Sequence, residues 1–190
     1  MTHTVQRLIL AATLAAALAS AAQAGNVDAA RSAVTIHVYK SGLFSALAHN
    51  HIITAPIGSG SIDKERRSVS LSFNANALKL VDTEGSESDH RQIERTMNGP
   101  EVLNVAQFPV ISFQSKRVDV AKPDSYQVTG DLKLHGRSRE ISLPVVFSGG
   151  MYKGSISLKQ TDFGITPVKI AGGAVRVKDE IEIDFEIVPQ

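Results

Sequence analysis

No cysteine occurs anywhere in the chain, which excludes a disulfide framework, a thiolate nucleophile, a Cys-ligated metal and a lipoprotein acylation site. An excess of one charge is missing as well. Lys and Arg number 20 against 19 Asp and Glu, a balance that leaves no electrostatic footprint for nucleic acid or an anionic membrane. No apolar run reaches the roughly 20 residues that a membrane-spanning helix needs. Nucleophile elbows, phosphate-cradling glycine loops and dinucleotide fingerprints do not occur, and Gly149-Gly150 and Gly172-Gly173 read as hairpin turns. These absences predict a protein that is not an enzyme, carries no cofactor and does not bind nucleic acid.

What is present starts with a leader. Arg7 ends a short polar stretch, Leu8 to Leu18 is a Leu/Ala core, and Ala22-Gln23-Ala24 fits the small-x-small rule for signal peptidase. The pattern predicts a cleaved signal over residues 1–24, a mature domain over residues 25–190 beginning at Gly25, and a periplasmic or secreted location. Removing the leader takes away Arg7 and leaves Lys and Arg at 19 against Asp and Glu at 19. A single domain of about 150 residues buries roughly 70% of its unfolded surface, so this one can rest on its own core without disulfides.

The core is legible as strand periodicity. Tyr126, Val128, Leu132 and Leu134 share one phase and Gln127, Thr129, Asp131, Lys133 and His135 the other. After Gly136, Arg137 and Ser138 the alternation resumes with Ile141, Leu143, Val145 and Phe147, which makes a β-hairpin with one apolar side. Similar alternation predicts strands at Val34–Tyr39, from near His49 unevenly to Ile62, at Val69–Ala75, from Val110 through Val120, at Tyr152–Gln160 and at Ile181–Ile187. Leu43 to Leu47 reads as a bend, and Lys64 to Arg67 as a charged turn. Between Asp82 and Asn104 the period changes: Ser86 or Ser88 can cap a helix carrying Ile93 and Met97, which Gly99-Pro100 ends. This polar insert is the only helix expected in the mature chain, and it should be the most mobile ordered part. With no long amphipathic helix to cover it, a sheet of about eight antiparallel strands is expected to close into a barrel, the rival being a two-sheet sandwich.

Four segments resemble the YceI family, in the family's order and across nearly the whole mature chain: Gly60-Ser61-Ile62-Asp63, Phe108 to Ser115, Val128 to Gly136, and Thr161-Asp162-Phe163-Gly164-Ile165. The resemblance implies an exported, lipocalin-like barrel that binds polyisoprenoid lipid. The chain departs from the family's pattern at Tyr39-Lys40-Ser41, at Ser88-Asp89-His90-Arg91 and at Gln160, where an Arg often stands.

Two functions compete. The first is a carrier that encloses an isoprenoid lipid or quinone, touches membranes transiently and acts on nothing covalently. Its ligand-facing residues should be those on the apolar phase: Ile36, Val38, Leu71, Phe73, Ile111, Phe113, Leu132, Leu134, Leu143, Phe147, Ile183 and Phe185. The second is a metal- or partner-binding module whose barrel is packed solid. His49 and His51 are two apart and would share a strand face, with His90, Asp89, His135 or Glu94 as further ligands, but no third ligand stands at metal spacing, so no metal site is predicted. His135 beside Gly136 reads as a turn residue, His90 as a solvated helix residue, and Glu84, Glu87, Asp89 and Glu94 as a charged surface.

Overall fold

Alternating Val, Ile, Leu and Phe leave the longer described strands with one face that must avoid water, and the chain meets that demand by rolling its strands into a single antiparallel sheet. The computed structural model describes residues 25–42, 50–82 and 84–190; the leader, the bend at Leu43 to Leu47 and His49 lie outside them. In chain order the described elements are β1 (Gly25–Asn26), β2 (Ala33–Ser41), β3 (His51–Thr54), β4 (Ile57–Asp63), β5 (Ser68–Asn74), β6 (Lys79–Leu80), α1 (Glu87–Asn98), β7 (Val110–Lys122), β8 (Ser125–Leu134), β9 (Arg137–Ser148), β10 (Met151–Lys159), β11 (Lys169–Ile170) and β12 (Val175–Ile187).

Twelve strands replace the expected eight. The additional pieces are short: β1, β6 and β11 have two residues each, and the single uneven strand expected up to Ile62 is split into β3 and β4 at Ala55-Pro56. Proline has no N–H to give a ladder, so the break falls at Pro56.

That break closes the barrel. The strand order runs β4-β5-β7-β8-β9-β10-β12-β2-β3, so the two ends of the path are consecutive in sequence. One bent strand pairs with β2 through its first half and with β5 through its second, and the Ala55 N–H still donates to Val34 O at 2.9 Å across the bend. Eight antiparallel strands of this kind suffice to enclose one small ligand.

The β8–β9 hairpin is tighter than the alternation suggested. Leu134 pairs with Arg137, leaving His135-Gly136 as a two-residue turn. Both have positive φ, 50° and 72°, the turn that matches strand twist. In β7 the pairs Ser115↔Gly130 and Arg117↔Thr129 leave Lys116 as an extra residue. This bulge moves the inner phase from odd numbers, Ile111 and Phe113, to even ones, Val118 and Val120.

The insert folds as expected at its start. Ser86 caps α1, accepting from Asp89 N while the Asp89 carboxylate accepts from Ser86 N, a reciprocal capping box. From the last turn of α1 onward the chain turns back into the barrel and buries Met97 and Leu103, with Leu103 N donating to Met97 O at 2.9 Å. Helical geometry is not confined to the insert, because Gln160–Phe163 also forms a 3-10 turn, closed by Gly164 at φ 77°.

Candidate functional site

The barrel is hollow. A cavity of about 520 Å³ runs inside it, within the roughly 300–1,000 Å³ typical of small-molecule sites. Up-and-down connectivity gives it two ends. At one end lie the turns 64–67, 123–124 and 149–150; at the other lie the insert with α1, the His135-Gly136 turn and the 3-10 turn Gln160–Phe163.

The walls follow from strand phase. Of the twelve residues expected to face a ligand, Ile36, Val38, Leu71, Phe73, Ile111, Phe113, Leu132, Leu134, Leu143, Ile183 and Phe185 line the cavity. Phe147 does not. Its ring packs on Tyr152 at 4.7 Å between centroids, and Lys64 Nζ sits 5.8 Å from its centroid. It therefore props the wall at the turn end. Several wall residues, among them Ile36 and Leu71, are only half-buried, since one side of each meets empty space.

The helix end is closed. Met97, Val102 and Leu103 of the insert and Phe163 of the 3-10 turn complete the lining there, and Phe163 is 2% exposed. Gln160 is buried at this end, its Nε2 donating to Lys178 O at 2.8 Å. Next to it the Thr161 hydroxyl and N–H both donate to Asp179, which holds that carboxyl below its ordinary value. His135 bonds the backbone, Nδ1 meeting Phe163 O at 3.2 Å, and its ring stands edge-on to Phe108. One histidine thereby ties the β8–β9 turn to the 3-10 turn.

The turn end is open. Pairing between β5 and β7 stops at Ser70↔Gln114, where Ser115 Oγ accepts from Val69 N at 2.8 Å. From there outward β7 pairs with β8 alone, and Val120, although it lines the cavity, is 51% exposed. Around this opening stand Lys64, Arg67, Ser68, Tyr126 and Tyr152. Asp63 is buried, and Arg66 satisfies it through its N–H at 2.8 Å and Nη1 at 3.2 Å. Tyr152 is raised above the ordinary phenol value, chiefly by burial, and so keeps its proton. Periodicity placed Tyr126 on the apolar face, but the charged turn carried no sign that it would face a cavity, because that depends on closure.

The histidine pair has no described geometry, since His49 lies outside the described residues. His51 Nδ1 lies 2.6 Å from Asp82 Oδ2, and Asp82 also accepts from Ile52 N. His90 Nε2 bonds Glu84 O at 2.6 Å, Glu87 pairs with Arg91, and Glu94 accepts from Leu80 N. Among the described residues no three His, Asp or Glu side chains cluster as a metal site.

The sequence profile of the YceI-like domain family matches residues 26–188. Curated relatives include UPF0312 proteins of Azotobacter vinelandii, 30% identical over 93 residues, 44% of this chain and 48% of that protein, and of Yersinia pestis, 31% identical over 99 residues, 46% and 50%. The chain thus spans about half the length of the curated relatives it matches. Among solved structures, Burkholderia cenocepacia BcnA superposes with a TM-score of 0.61 at 19% identity, covering 85% of this chain and 98% of that one. The Campylobacter jejuni YCEI protein superposes with a TM-score of 0.52 at 16% identity, covering 73% and 81%. These two are likenesses of fold.

Proposed function

The chain belongs to the YceI-like domain family, and from that premise we propose that it is a non-enzymatic periplasmic carrier whose barrel encloses the tail of an isoprenoid-type lipid, a quinone or a polyprenyl chain. The observation that carries this reading is the apolar cavity of about 520 Å³. Tyr126 and Leu134 both line it, and eight residue steps of about 3.3 Å on a strand tilted by about 40° give a depth of roughly 20 Å. Such a slot suits a chain more than a compact molecule. The competing metal- or partner-binding module was argued from a barrel filled by its own side chains, and the cavity speaks against that premise.

Burial from water is worth about 0.8 kcal/mol per methylene, so each five-carbon unit contributes roughly 3 to 4 kcal/mol. Against a bilayer most of that gain cancels, because lipid tails are as apolar as the wall. The protein then exchanges its ligand with membranes by transient contact and does not trap it. The leader-like residues 1–24 support a periplasmic setting.

Native purification from cells, solvent extraction and mass spectrometry test the proposal. A stoichiometric prenyl lipid in the extract is the expected result. A protein that purifies empty and takes up no prenyl lipid from vesicles overturns it.

A further inference from the structure

Polar side chains line the cavity at both ends, Lys159 and Gln160 toward the 3-10 turn and Asp63, Lys64, Arg67, Ser68, Tyr126 and Tyr152 at the opening. Lys64 and Arg67 both line the opening and both are exposed. Neither is in an ion pair with any described residue; Lys64 stands over the Phe147 ring, and Asp63, a buried carboxylate that also lines the cavity, is satisfied by Arg66. Glu65 in the same turn and Asp124 in the adjacent one do not line the cavity and pair with neither cation.

Behind the two cations, ring contacts lead inward. Lys64 stands over Phe147, Phe147 packs on Tyr152, and Tyr152 meets Tyr126 edge-on at 6.1 Å. Tyr126 and Tyr152 line the cavity, and neither hydroxyl bonds another described residue. The opening thus presents two cations and two phenol donors; of the carboxylates around it, Asp63 is paired with Arg66, while Glu65 shares the turn with Lys64 and Asp124 lies close enough to Tyr152 to help raise it. A donor-rich, cationic rim of this sort is complementary to an acceptor-rich anion.

We propose that this end is a head-group site for a phosphate-type anion, so that the lipid carried is a prenyl phosphate rather than a neutral prenyl alcohol or quinone, with Lys64 and Arg67 on the charged oxygens and Tyr126 and Tyr152 at the ester oxygen. This deepens the carrier reading and rests on it. The tail lies toward Phe163 and the insert, and the anion stays at the turn end in reach of solvent.

Farnesyl phosphate and farnesol, which share one tail, separate the head-group claim from the carrier claim. Titration calorimetry below their aggregation limits compares both probes, and inorganic phosphate alone, on the wild type and on Lys64→Gln combined with Arg67→Asn. Asparagine tolerates the positive φ of 52° at position 67, so the exposed turn keeps its shape, which the melting temperature checks. The expected result is roughly tenfold or stronger preference for the phosphate in the wild type, and a phosphate-to-farnesol affinity ratio near one in the double variant. The preference should also shrink below about pH 6, where a phosphate monoester loses its second charge. Equal affinity for the two probes in the wild type overturns the head-group site and leaves the carrier standing. Inorganic phosphate binding as tightly as farnesyl phosphate also overturns it, by showing a free-anion site. Failure of both prenyl probes to bind overturns the carrier reading itself.

Discussion

Two inward glycines shape the wall as much as any large side chain does. Gly154 lies directly opposite Phe185, and a Cβ there would approach Phe185 Cζ to 2.5 Å and collide with Pro144 O. Gly130 holds a similar place beneath Phe113, whose Cζ lies 2.7 Å from where a Cβ would be. Each ring fills the space that the missing side chain leaves. Gly154→Ala should therefore cost about 1–3 kcal/mol in urea unfolding, and part of the loss should vanish in a Phe185→Leu background. Strictly additive losses would show that ring and glycine do not share that space. A charge on the wall tests phase: Leu134→Asp should cost several kcal/mol by stranding a carboxylate among apolar neighbours. A melting temperature equal to that of the wild type would place Leu134 on the outer face.

At the scale of elements, the insert divides into two parts of unequal stability. Residues Glu87 to Arg95 of α1 hold no buried side chain, whereas Met97 and Leu103 belong to the core. Ser86→Ala should loosen the first part by about 1 kcal/mol through loss of the cap. Hydrogen exchange should find the amides of Glu87 to Arg95 faster than those of β12, with Leu103 N as slow as the barrel. Uniform protection from Glu87 to Leu103 would contradict this division. Acid acts on the same cap. Hydrogen bonds from Ser86 hold Asp89 below its ordinary 3.8, and those from Thr161 do the same for Asp179. A depressed folded-state value means the unfolded chain binds the proton more readily. The stabilisation is complete above about pH 5 and fades as pH falls through 3.8 toward the folded values. Denaturation followed from pH 7 to pH 3 should show that loss, and Ser86→Ala with Thr161→Val should flatten it.

For the whole molecule the decisive property is the empty interior. Ile183 lines the cavity from mid-strand and is half-buried because of it. In a packed core Ile183→Trp would cost about 1–3 kcal/mol by overpacking; in a hollow barrel the indole grows into free space. The variant should unfold within about 1 kcal/mol of the wild type while its uptake of prenyl lipid from vesicles falls sharply. A strongly destabilised variant would mean that the interior is effectively full.

The sequence by itself determined the local pattern: which residues alternate, that a helix starts at Ser86 or Ser88 and ends at Gly99, and which face of each main strand is apolar. Those are properties of nearest neighbours and of period, and eleven of the twelve residues chosen on phase alone line the cavity. It also determined, through four ordered segments, the family to which the chain belongs. Tertiary structure decided what depends on closure. The strand before Ile62 was legible as uneven, but not that it breaks at Ala55-Pro56 or that this break joins the two ends of the sheet, since that joint requires β2 and β5 to be neighbours of one strand. Phe147 has the right phase and the wrong height, a coordinate that periodicity does not contain. Lys64 and Arg67 read as an ordinary charged turn until the barrel wrapped around and set them at its mouth. Whether the interior would be solid or hollow was likewise beyond composition, because the same Val, Ile and Leu can fill a narrow barrel or line a wide one, and only the strand stagger fixes its width.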